Sequence, residues 1–179
     1  MSYVMMDIEA DGPIPGDYSM ICFGAVIVEP PLSQTFYGQL RPISEQWQPE
    51  ALAVSGFTRE QTLAFPEPEG VMRQFAAWLQ EHSKGRPMFI SDNNGFDWQF
   101  INWYFHHFTG TIPFGFSSAN LGSLYNGVVR DVIRNFNTCF KSVARQASQS
   151  LRSASANATY ASPYGVPSLL PPVAAMTTN

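Results

Sequence analysis

Tyr3-Val4-Met5-Met6-Asp7-Ile8-Glu9-Ala10-Asp11-Gly12-Pro13 reads as an apolar strand interrupted by two carboxylates. Alternate residues of a strand share a face, so Asp7 and Glu9 project together, roughly 7 Å apart at about 3.3 Å per residue. Like charges side by side on a strand disfavour folding. A hard divalent cation between them removes that cost, and oxygen ligands suit Mg2+ or Mn2+. An isolated D-x-E reads more simply as two solvated acids on an edge strand. The pair acquires chemical meaning only if carboxylates arrive from elsewhere in the chain.

At 179 residues the chain is long enough for one domain with a substantial core, and 45% hydrophobic and 14% aromatic residues exclude a disordered class. The net charge of −4 gives no overall basic field, which argues against a sequence-reading DNA binder but not against an enzyme with a local channel. Cys22 and Cys139 are the only cysteines, so there is neither a disulfide framework nor zinc spacing. Asp7 cuts short the first apolar stretch, no basic flank precedes it, and no run reaches membrane-spanning length. These features set the expectation of a cytoplasmic protein with no membrane partner.

Beyond the Pro- and Gly-rich turn at 13–17, residues 19–28 are too uniformly apolar for a half-exposed strand and are expected to form a central one. Residues 35–40 make a third strand, and the short links predict an antiparallel meander. Helical signals follow. A short helix over 49–54 ends near Gly56, and Thr58 with Gln61 forms a capping box. Val71, Met72, Phe75, Trp78 and Leu79 recur at helical spacing within 67–82. Residues 87–91 form a short buried strand. A second long helix, 96–108, carries the stripe Phe96, Phe100, Ile101, Tyr104, Phe105 and Phe108, read as core, and Gly110 ends it. Residues 121–126 and 128–136 are expected to form two more helices.

Ser91-Asp92-Asn93-Asn94-Gly95-Phe96-Asp97-Trp98-Gln99-Phe100 supplies a further acid where a buried strand becomes a helix. Asp97 falls in the first turn, where the helix dipole favours an anion. Alone it reads as an ordinary first-turn acid, and Asp92 or Asn93 as an ordinary N-cap. Together, D-I-E-A-D-G-P at the end of a first strand and N-N-G-F-D-W-Q-F between a strand and a helix resemble the DEDD superfamily of 3′–5′ exonucleases. Residues 53–58 (A-V-S-G-F-T) resemble the loop these enzymes carry before the long helix. The resemblance covers residues 1–136. It implies an α/β, ribonuclease H-like fold: a mixed sheet with an antiparallel three-strand meander, followed by helices and a parallel strand.

The resemblance also implies a metal-dependent nuclease, a hydrolase that shortens single-stranded RNA or DNA from its 3′ end to give nucleoside 5′-monophosphates. Asp7, Glu9 and Asp97 match its catalytic, metal-binding acids, which hold two Mg2+ or Mn2+ ions. Asn93 matches its usual amide, which supports the neighbouring loop. Main-chain N–H groups near Ala10 and Asp11 would hold the terminal nucleotide, and Phe57 or Trp98 would stack on a base, with core packing the competing role for both. Many such enzymes pair as homodimers. The alternative is a catalytically inactive nucleic-acid-binding module of the same fold.

The third motif of that superfamily, a His or Tyr followed by a fourth Asp on a C-terminal helix, is not found. His82, His106 and His107 all lie upstream, and the last acid is Asp131, which matches no motif position. Residues 137–179 contain no acid, and Lys141, Arg145 and Arg152 give them +3, leaving −7 on residues 1–136. The composition changes abruptly to Ser, Ala, Thr, Asn and Pro at that point. Residues 137–179 are therefore expected to be a low-complexity, disordered tail, with a short helix over 141–151 the one element it could hold. A reading-frame change near codon 137 would explain the abruptness.

Overall fold

The computed structural model describes residues 1–130. Asp131, nearly all of the helix expected over 128–136, the tail 137–179 and its 141–151 helix lie outside the described residues. A five-stranded sheet has the order β3-β2-β1-β4-β5. Strand β1 (Tyr3–Ala10) runs antiparallel to β2 (Met20–Ile27), which runs antiparallel to β3 (Thr35–Gln39). This is the expected meander. On the other side of β1, β4 (Met88–Ser91) and then β5 (Ser118–Asn120) lie parallel.

The expectation of a buried, interior strand over 19–28 holds, and two further features emerge. Strand β2 is interior and almost wholly buried, but the middle of the sheet belongs to β1. The acids of β1 break its apolar run and disguise its place. Strand β5, three residues of Ser, Ala and Asn, had no apolar signal to announce it.

Helices α1 (Pro49–Ser55) and α2 (Arg59–Leu63) follow the meander. Pro49 sits in the first turn of α1, where its missing N–H costs nothing, and Gly56 ends the helix at φ 78°, a left-handed conformation that glycine adopts freely. The Thr58–Gln61 capping box is formed in full. Helices α3 (Pro68–His82) and α4 (Asn94–Thr109) pack together over the sheet. A single helix, α5 (Leu121–Val129), replaces the first of the two expected after residue 120; the Asn120 side chain caps it by accepting the Ser123 N–H at 2.7 Å.

The core lies between the sheet and these two long helices. Val4, Met6 and Ile8 of β1 enter it from one face of the strand, and Phe100, Ile101, Tyr104 and Phe105 enter from α4. Phe75 of α3 is its hub, with ring centroids 4.8 Å from Phe23, 5.0 Å from Phe36 and 5.6 Å from Phe105. The rings approach the sheet closely: a Cβ on Gly38 would stand 2.6 Å from the Phe23 ring.

Candidate active site

The length mismatch between β1 and β4 makes the site. Strand β4 pairs only with Tyr3–Met5, so the facing edge of β1 is uncovered beyond that point. The chain leaves β4 at Ser91 and turns into α4, whose first turn fills the gap. There the Ile8 N–H donates a hydrogen bond to the Asp97 carboxylate. Asp7 and Glu9 flank Ile8 on either side and share the face that the core residues leave. Asp7 is exposed and opposite Gly24; Glu9 is half-buried and opposite Cys22.

Asp97 is 2% exposed. Burial raises its carboxyl most, and the negative charges of Asp7 and Glu9 raise it further, to about 8, against the opposing hydrogen bond from Ile8. The Ser91 hydroxyl lies beside Asp97 and also favours its ionised form, without full hydrogen-bond geometry to any atom. The structure therefore brings the three acids into one electrostatic unit, with Asp97 reaching β1 from 88 positions beyond Glu9.

Such a set suits a hard divalent cation on two counts. Every donor is a carboxylate oxygen, and burial first, with the charges of Asp7 and Glu9 adding to it, makes Asp97 hold a proton where a cation would offset the same charge. The arrangement is open: among the described residues, no three His, Cys, Asp or Glu side chains stand close enough to form a ready cage. The histidines are elsewhere. His82 Nδ1 is 2.9 Å from the Trp78 carbonyl, and His106 and His107 occupy the last turn of α4, roughly 13 Å along the axis from Asp97 at about 1.5 Å per residue.

The remaining candidates divide. Ala10 is buried at the end of β1, opposite Met20. Phe57 is half-buried and meets Phe65 edge-on at 5.0 Å. Trp98 is half-buried, one residue beyond Asp97, and packs edge-on against Phe89 at 5.2 Å. Asn93 is exposed and its side chain caps nothing. The loop support expected of Asn93 comes from Asn94, whose amide donates to the Ala119 carbonyl at 3.1 Å and accepts from the Ser118 hydroxyl at 2.9 Å.

Asp11 differs most from expectation. Its N–H is spent on the Ser19 carbonyl at 2.9 Å and so does not face a nucleotide. Its side chain is fully buried, accepting the Ser19 N–H at 2.6 Å and pairing with Arg59 at 2.9 Å. Burial raises its carboxyl, while the Ser19 N–H and the Arg59 guanidinium oppose the shift. Sequence reasoning missed Arg59. The one signal was the third acid of D-x-E-x-D, whose burial would demand a cation.

No protein-family model matches the chain. Cap18, a 3′–5′ DNA exonuclease of Escherichia coli, is 40% identical over 129 residues, a match covering 70% of this chain and 68% of that protein. The nuclease domain of 3′hExo, a DEDDh family member solved with rAMP, superimposes with a TM-score of 0.56 at 19% identity, covering 72% of this chain and 70% of that one. Exonuclease I of E. coli, solved with zinc and single-stranded DNA, gives 0.56 at 15% identity; the match covers 72% of this chain but only 29% of that enzyme. At those identities the structural likeness shows the ribonuclease H-like exonuclease fold.

Proposed function

We propose, from the premise that this chain belongs to the DEDD superfamily of 3′–5′ exonucleases, that Asp7, Glu9 and Asp97 form its ion-binding and catalytic centre. One observation carries the reading: the first turn of α4 brings Asp97 to the two acids of β1, with the Ile8 N–H fixing its carboxylate. The ions are Mg2+ or Mn2+, which suit an all-carboxylate donor set. When bound, they supply an activated water and charge stabilisation at a scissile phosphate.

The chain's own residues do the rest. Asp97 is held by the Ile8 N–H and buried, so its carboxylate is fixed within the electrostatic reach of Asp7 and Glu9. Exposed Asp7 leaves the site open to a polymer end. Phe57 or Trp98 is the ring to stack on a terminal base, worth roughly 1–3 kcal/mol where it does so. Single-stranded DNA is the first substrate to test, because the relative at 40% identity is named for DNA; the products are nucleoside 5′-monophosphates. No histidine among the described residues stands by the acids, and no acid or histidine follows Asp131 in the sequence.

Residues 1–136 make the exonuclease unit, with 137–179 an appended tail. No helix of the described residues is long and apolar enough to cross a membrane, and we place the protein in the cytoplasm. Pairing of two copies rests on the family resemblance, and light scattering measures it. The test of function is a single strand labelled at either end and incubated with Mn2+. Stepwise shortening from the 3′ end that disappears in Asp7→Asn supports the reading. Shortening unchanged in Asp7→Asn, or binding with no shortening, overturns it.

A further inference from the structure

The ladder between β1 and β2 changes register just after Glu9. Glu9 stands opposite Cys22 and Ala10 opposite Met20, which leaves Ile21 as a bulge. The extra residue lies on β2, so the pairing that β1 meets beyond Glu9 is interrupted there. Contacts just beyond Glu9 therefore help to set where the end of β1 lies.

Asp11, two residues on, is held on every side. Its N–H and carbonyl bond to Ser19 and Gln48 at 2.9 and 2.8 Å. Its carboxylate takes the Ser19 N–H and one Arg59 nitrogen. The other terminal nitrogen of Arg59 donates to the Ser44 carbonyl at 2.7 Å. The Ser19 hydroxyl closes the ring by accepting the N–H groups of Ile43 and Ser44 at 3.0 and 3.2 Å. The Arg59 guanidinium lies 5.8 Å from the centre of the Trp47 ring, which covers it. One planar fork thus ties three segments: the end of β1, the loop 41–48 and the start of α2. A lysine offers a single point of charge and cannot hold both partners in that geometry.

We infer that Arg59 is a positioning residue for Glu9: through Asp11 it fixes the end of β1, so that Glu9 stands where Asp7 and Asp97 can share an ion with it. The inference rests on the ion-binding reading of those acids. Partners that orient ligands from behind typically change metal affinity by about 10–100-fold when removed.

The test is Mn2+ alone, titrated into the full chain without nucleic acid and followed by calorimetry or by the spin signal of free Mn2+. Arg59→Lys keeps the charge that buried Asp11 needs, and is expected to fold while weakening Mn2+ affinity by about tenfold. Arg59→Ala weakens it at least as much and leaves the carboxylate unpaired, at a cost to the fold. Val71→Ala is the comparison. Val71 is a buried residue of α3 beside Gly38 of β3, with no bond to Asp11, Arg59 or Ser44, so its truncation lowers the melting temperature but leaves Mn2+ affinity within about twofold. Arg59→Lys within about twofold of wild type overturns the inference, as does Val71→Ala weakening Mn2+ binding equally. Glu9→Gln separates the two levels. Wild-type binding that Glu9→Gln leaves intact sinks the ion-binding reading and the inference with it. Binding lost in Glu9→Gln but untouched in Arg59→Lys sinks the inference alone.

Discussion

The Tyr104 hydroxyl accepts a hydrogen bond from the Met20 N–H at 2.7 Å across 84 positions of sequence, bolting the helix that carries Asp97 to the first residue of β2. The tyrosine is fully buried, and burial holds its hydroxyl in the protonated form. Tyr104→Phe leaves that N–H without a partner in a dry interior. The expected loss is about 1–3 kcal/mol of unfolding free energy, read from urea denaturation. A change within about 0.5 kcal/mol would mean that water replaces the hydroxyl at no cost.

Asp97 sets a pH dependence whose sign is opposite to that of an ordinary carboxylate. Its folded value of about 8 lies above the ~3.9 of an unfolded aspartate. Between those values the folded chain keeps a proton that the unfolded chain has released, so stability falls as pH rises through the window. Melting at pH 5 and pH 8 without divalent cations measures the slope, and Asp97→Asn flattens it. Mn2+ restores stability at pH 8 far more than at pH 5, because it takes the proton's place. Equal Mn2+ stabilisation at both values contradicts the shared site.

Phe75 joins β2, β3 and both long helices through its ring contacts. Phe75→Ala removes the common partner and leaves a cavity that rigid neighbours cannot close. A loss of about 3–5 kcal/mol is expected by denaturant titration. A loss under about 1 kcal/mol would show that the aromatic cluster collapses into the gap.

Two glycines predict opposite outcomes for the same substitution. Gly38→Ala drives a methyl to 2.6 Å from the Phe23 ring and 3.0 Å from Val71, and is expected to cost about 1–3 kcal/mol. Gly70 lies in the first turn of α3 with open space around it. Gly70→Ala is expected to raise stability by about 0.4–1 kcal/mol through the unfolded chain's lost freedom. Thermal melts of the pair give the contrast directly.

What the sequence made legible was periodic or local. The stripes of α3 and α4, the capping box at Thr58, the stop at Gly110 and the acids at strand and helix ends all reside in short windows, where side chains signal their own surroundings. What it concealed was long in range or faint. The Arg59–Asp11 pair spans 48 positions and leaves no mark near either residue. Asn93 and Asn94 are adjacent amides, and only the turn geometry decides which one reaches the loop. Strand β5 exists because β4 offers it an edge, not because Ser118-Ala119-Asn120 favours extension. The middle place of β1 was hidden by the acids that interrupt its apolar run.

Among the described strands, β1 alone has an antiparallel neighbour on one side and a parallel neighbour on the other. Asp7 and Glu9 thus sit at the seam of the sheet, where two differently built halves are stitched, rather than at either hem. The loop 41–48, hung from the outer strand β3, is knotted to that seam through Gln48, Ser44 and Arg59, so a change in its length or sequence pulls on Asp11, two residues from Glu9.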